Sequence, residues 1–145
     1  YAYTTVGDND ALAFGLGNGP GSYTLLPIRG PFVFTGYAGM NTHKLLFEYD
    51  FKEVGAEGLK AKLHLVKGKQ DAPHRNAGPT AANTHMNVQG WAAQASYDMP
   101  WVKGLSASVT YTALERKNFD TRGAVRKTDN NELWLQLGYK FNLLN

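Results

Sequence analysis

Catalysis in this chain would have to come from histidines, hydroxyls or carboxylates, because it contains no cysteine. That absence removes thiolate nucleophiles, disulfides and thiolate zinc sites together. His43, His64, His74 and His85 lack the HExxH or His-x3-His spacing that sets two imidazoles on one helix face, so they do not spell a metal site. Ser106, Ser108 and Thr110 recur at period 2, as a solvated strand face requires, and no nucleophile elbow surrounds them. Glu48 and Asp50 read as ion-pair partners or pore lining, not as an acid–base couple. Gly15, Gly17, Gly19 and Gly21 invite a phosphate-loop reading, but Pro20 takes the third-glycine position and no Gly-Lys-Ser/Thr follows. That stretch reads as an external loop, and its apolar continuation, LLPIRGPFVFTGY, needs cover from the lumen side or from a neighbouring subunit. No catalytic, cofactor or metal residue is assigned, and the expectation is a non-enzyme.

Binding and passage remain. The chain has 145 residues, 43% of them hydrophobic and 19% charged, which suits one domain at most and is too apolar for disorder. No aliphatic run approaches the roughly 20 residues of a membrane helix. The net charge is +3, but 15 Lys and Arg are scattered among 12 acids without runs or a helical stripe, so nucleic acid is not an expected partner. Tyr1 follows neither Met nor a basic-then-apolar leader, so the expectation is a mature or partial product.

The elements that would position these residues have period 2. Over 41–51, Leu45, Phe47, Tyr49 and Phe51 oppose Lys44, Glu48 and Asp50, with Leu46 the exception. Over 59–66, Leu59, Ala61, Leu63 and Leu65 oppose Lys60, Lys62 and His64. The same alternation runs through 89–98, 105–114 and 131–143, and YAYTTV at the start reads as the tail of another strand. The fold class is therefore all-β, with about six antiparallel strands. Short connections at 52–58 and 99–104 alternate with long ones around 7–40, 67–88 and 117–130, as in transmembrane barrels with short periplasmic turns and longer outer loops. A ten-residue strand tilted near 45° rises roughly 24 Å, which matches an apolar band of about 25 Å. Tyr49, Phe51, Tyr97, Trp101, Tyr139 and Phe141 fall beside the short turns, where an aromatic girdle would lie.

Alternation by itself fits a lipid-facing sheet and a soluble barrel or sandwich equally. Three features favour lipid: a terminal strand of strict alternation ending in Gly138, Tyr139, Lys140 and Phe141, the short–long connections, and charge within the polar face at Glu48, Lys62 and Lys140. On that reading the lumen is lined by Lys44, Glu48, Asp50, Lys60, Lys62, His64, Gln94, Ser96, Ser108, Thr110, Glu132, Gln136 and Lys140.

The strings YDFKEVGAEGLKAKLHLVKGK, GLSASVTYTALERK and DNNELWLQLGYKFNLL carry a Tyr-Asp strand end, a turn closing with Gly-Leu, a loop entered through Lys-Gly and an Asn-Glu pair opening the last strand. In these features most of 41–145 resembles the last strands of the OprD-type outer-membrane porins. The resemblance implies an 18-stranded barrel passing small nutrients, often carboxylate-bearing, through a constricted lumen in the outer membrane of a Gram-negative bacterium. Six strands would leave two edges open in lipid, so the expectation is a C-terminal third continuous with upstream strands. Family members carry an arginine ladder on their final strands, and the corresponding positions here hold Ser108, Thr110 and Trp134. A symmetric 52–58 turn would set Asp50 across from Lys60 and Glu48 across from Lys62, leaving a nearly charge-balanced wall with weak anion preference.

Expected partners are outer-membrane lipid, lipopolysaccharide phosphates near the basic residues of the outer loops (Lys67, Lys69, His74, Arg75, Arg116, Lys117, Arg122, Arg126 and Lys127), small solutes and further copies in a homotrimer. Two alternatives stay open: a porin-like sheath or scaffold around a partner protein, and a soluble β-barrel binding module with Lys62 and Glu48 outside.

Overall fold

A computed structural model describes residues 1–7, 24–28, 37–70, 83–120 and 123–141, with backbone alone for 83 and 84. Six strands, β1 (Ala2–Thr5), β2 (Met40–Asp50), β3 (Leu59–Gln70), β4 (Asn83–Asp98), β5 (Leu105–Asp120) and β6 (Val125–Tyr139), pair in chain order as one antiparallel sheet. The first and last strands do not meet, so the sheet is open.

Because side chains alternate between faces and the registers stay in phase from β2 to β6, like residues line up in rows. Phe47, Leu63, Ala93, Tyr111 and Leu133 form one row; the next, on the opposite face, is Glu48, Lys62, Gln94, Thr110 and Trp134. The apolar face is uncovered. Its large residues expose between 37% of Tyr111 and 76% of Leu135. The buried hydrophobic cluster instead lies on the polar face, toward the longer connections, where Leu26 packs against Met40, Val66, Met86, Val88, Ala92 and Leu114.

The two short turns share one device. Asp50 accepts a hydrogen bond from Lys52 N–H at 3.0 Å and starts a 3-10 turn, Phe51–Val54, which Gly55 ends at φ 86°. Gly58 and Gly104, at φ 85° and 89°, then each lead into a strand-opening leucine. A side chain at either position would drive into the backbone at or just past the end of the next strand, at Asp98 O and Lys140 O. Asp98 N–H donates to Gly58 O at 2.9 Å, and Lys140 N–H donates to Gly104 O at 2.8 Å. The recurring Gly-Leu pair is thus a close backbone approach that only glycine permits.

Three expectations need correction. The strands are longer than the alternation indicated, reaching 16 residues in β4 and β5. The connection expected over 117–130 shrinks to 121–124, because β5 and β6 continue as a hairpin that Asp120 closes by accepting from Ala124 N–H at 2.8 Å. That region is polar on both faces, so hydropathy contrast vanishes while backbone pairing continues. Lys140, expected within a strand, lies one residue past β6.

Candidate functional site

Twelve of the thirteen candidate lumen residues share the polar face of β2 through β6. Lys140 stands at their turn end. Glu48 and Lys62 lie opposite one another and pair, and so do Asp50 and Lys60, at 3.7 Å. All four side chains keep 40–52% of their surface accessible, so the wall carries exposed charge that is locally balanced. Across the sheet, Ser108 Oγ donates to Gln136 Oε1 at 3.4 Å, and along β6 Trp134 Nε1 donates to Glu132 Oε2 at 2.9 Å. The Ser108 hydroxyl is thus bonded to an amide, and that of Ser106 to the Gly138 carbonyl, so neither is paired with a base that would activate it.

Toward the loop end, residues 24–28 lie over the same face. Lys44 Nζ donates to Leu25 O at 2.6 Å, and Thr112 Oγ1 donates to Pro27 O at 2.7 Å. The Thr4 and Thr24 hydroxyls are 2.9 Å apart, and Gln70 Nε2 donates to Ala38 O at 2.6 Å. Leu26 sits over Gly90, where an added Cβ would come within 2.8 Å of Leu26 Cδ1 and 2.6 Å of Ala113 O. Gly90 therefore makes the seat. Burial of one leucine stabilises the docked segment by roughly 1.5–3 kcal/mol.

This cover changes how some candidates act. Lys44, His64 and Thr110 are buried, so Lys44 anchors a backbone carbonyl instead of standing free in a lumen. Neither ring nitrogen of His64 has a hydrogen-bond partner among the described residues. Beside the segment a cavity of about 190 Å³ is lined by Pro27, Ile28, Gln94, Thr110, Trp134 and Gln136.

The other histidines lie elsewhere. His43 stacks with Tyr1 and packs at a tilt against Tyr3, His85 stacks on Phe119 at 4.0 Å, and His74 lies outside the described residues, as does the glycine run 15–21. Among the described residues no three His, Asp or Glu side chains converge as metal ligands. Sequence reasoning missed Leu26, Gly90 and Thr112 as parts of the site, and it placed Lys67, Lys69, Arg116, Lys117, Arg126 and Lys127 in loops, whereas all six lie within β3, β5 and β6, Arg116 and Arg126 on the polar face and the four lysines on the other. Only the unexplained apolar stretch after residue 24 hinted at the seat. No family model, no curated protein and no solved structure matches the chain.

Proposed function

We propose that this chain forms part of the wall of an OprD-type diffusion pore in the outer membrane, with small hydrophilic solutes passing along the polar face. The observation that carries this reading is the uncovered apolar belt, which runs across five strands and is bordered by aromatics. At the turn end stand three ring pairs, Tyr49 with Phe51 (4.8 Å), Tyr97 with Trp101 (5.6 Å) and Tyr139 with Phe141 (6.1 Å). At the other border Trp91 packs against Tyr111 at 5.4 Å. From Leu105 to Ala113 the belt runs about 27 Å along the strand, or roughly 21 Å at the usual tilt, close to the apolar band of outer-membrane barrels.

Residues 24–28 narrow the passage, and the paired acids and lysines leave it with a weak anion preference. Upstream strands complete the barrel, since an open edge in hydrocarbon costs several kcal/mol per unpaired backbone group. Single-channel recording of the full-length protein in planar bilayers tests the proposal, with stepwise ohmic conductance expected. A membrane-inserted protein without conductance would assign it to the sheath or scaffold alternative, and monodisperse behaviour in detergent-free buffer would move it to the soluble binding module.

A further inference from the structure

The cavity beside residues 24–28 differs in chemistry from the charged wall around it. Its volume of about 190 Å³ is bounded by Pro27, Ile28, Gln94, Thr110, Trp134 and Gln136, none of which carries a charge. Gln94 stands between Lys62 and Thr110 in its row, and that lysine is paired with Glu48. The Trp134 N–H is committed to Glu132 Oε2, so the indole's contribution to the cavity is its apolar ring.

One wall is set in advance. Ile28 N–H donates to Leu26 O at 2.8 Å, closing a three-residue turn around Pro27, whose ring holds φ near the value such a turn requires. Thr112 Oγ1 fixes Pro27 O at 2.7 Å, and Leu26 is buried over Gly90. Pro27 and Ile28 are therefore in place before any ligand arrives, and little ordering entropy is lost on binding. The remaining groups are polar. The side-chain amide of Gln94 and the NH2 of Gln136 make no hydrogen bond among the described residues, while Gln136 Oε1 accepts from Ser108 at 3.4 Å. With the Thr110 hydroxyl they offer donors and acceptors together.

A carboxylate or ammonium entering this recess would exchange its hydration for amides and a hydroxyl with no counter-ion, which is a costly transfer. A neutral molecule with several hydroxyls loses less, because each hydroxyl both donates and accepts and so suits amide and threonine alike. The C–H surface of its ring would meet Trp134, Pro27 and Ile28.

We infer that this recess binds a small neutral polyhydroxylated solute, a single sugar or cyclic polyol, with its ring against Trp134 and its hydroxyls on Gln94, Thr110 and Gln136. That such a solute meets the site in transit rests on the pore-wall reading. A ligand this small implies a dissociation constant on the order of 1–10 mM, which suits a station that must also release.

Fluorescence titration of the full-length protein in detergent tests it, with Trp134 as reporter in a variant whose other tryptophans are phenylalanine. Glucose and myo-inositol should change the emission saturably at such concentrations, while gluconate and glucosamine should need at least tenfold more. Gln94→Leu with Gln136→Leu should weaken glucose at least tenfold, and Lys67→Gln on the opposite face should leave it unchanged. If the double variant does not fold, Thr110→Val, nearly equal in size, should weaken glucose severalfold, and Leu26→Asn, which unseats the Pro27 wall, should abolish saturation. A response that never saturates, equal responses to neutral and charged probes, or glucose affinity undiminished in the glutamine and threonine variants would each overturn the site. Conductance recorded on the same preparation separates the two ideas: current without a saturable glucose response removes the site and keeps the pore, and a saturable response without current does the reverse.

Discussion

Lys60 and Lys62 show how little a side chain's charge says until its partner is known. Each stands across from a carboxylate, so the pair would present a dipole and little net field to an ion passing through the proposed pore. Removing the acids alone, by Glu48→Gln with Asp50→Asn, should uncover two ammonium groups and raise anion over cation permeability roughly twofold or more, read as a reversal-potential shift in a salt gradient. Strong anion selectivity in the unmodified pore, abolished by Lys60→Ala with Lys62→Ala, would refute the neutralisation. Gly58 and Gly104 are constrained differently. Each has positive φ, and a Cβ would strike the adjoining backbone, so Gly104→Ala should destabilise the turn by about 1–3 kcal/mol, measurable as a lower urea midpoint for the folded protein.

At the scale of elements, the alternation of β2 and β3 could be read directly, because Lys44, Glu48, Lys60 and Lys62 contrast sharply with Leu45, Phe47, Leu63 and Leu65. The pairing of the two acids with the two lysines followed from that alternation and the turn length. What could not be read was the outer half of β5 and β6, where Glu115, Lys117, Lys127 and Asp129 replace the apolar row and the hydropathy signal ends while the ladder continues. Beyond the belt, hydrogen bonds from Lys127 and then Lys117 hold the Glu115 carboxyl below its usual range. A depressed carboxylate stabilises the fold above its unfolded pKa and loses that contribution as pH falls through its folded value. Protection factors of the amides in 115–120 and 125–129 should therefore be high at neutral pH and fall only in acid below the ordinary carboxylate range, and Glu115→Gln should show the lower protection already at neutral pH. Residues 24–28 were illegible for another reason: their partners, Lys44, Gly90, Thr112 and Leu114, come from three strands, and no local pattern encodes a non-local seat. Leu26→Asn should release the segment and enlarge single-channel conductance; an unchanged conductance with the segment shown displaced would deny it a role in narrowing the passage.

Over the whole molecule, the decisive property is whether the apolar face meets hydrocarbon, as the proposed reading requires. Trp91 lies on the uncovered apolar face, whereas Trp134 is half-buried on the polar face and bonded to Glu132. In vesicles of brominated phosphatidylcholine, Trp91 emission should be strongly quenched and that of Trp134 little affected, each read in a variant with the other tryptophans changed to phenylalanine. Equal protection of both would mean that the apolar face is packed against protein. The seat beneath Leu26 draws side chains from β2, β3, β4 and β5. A slip of one residue between any two of those strands would turn its members to the wrong side and leave Leu26 nothing to rest on. On the proposed pore-wall reading, the docked segment would act as a proofreader of assembly: a barrel zipped out of step would be left ungated, an ill-formed hole instead of a filter.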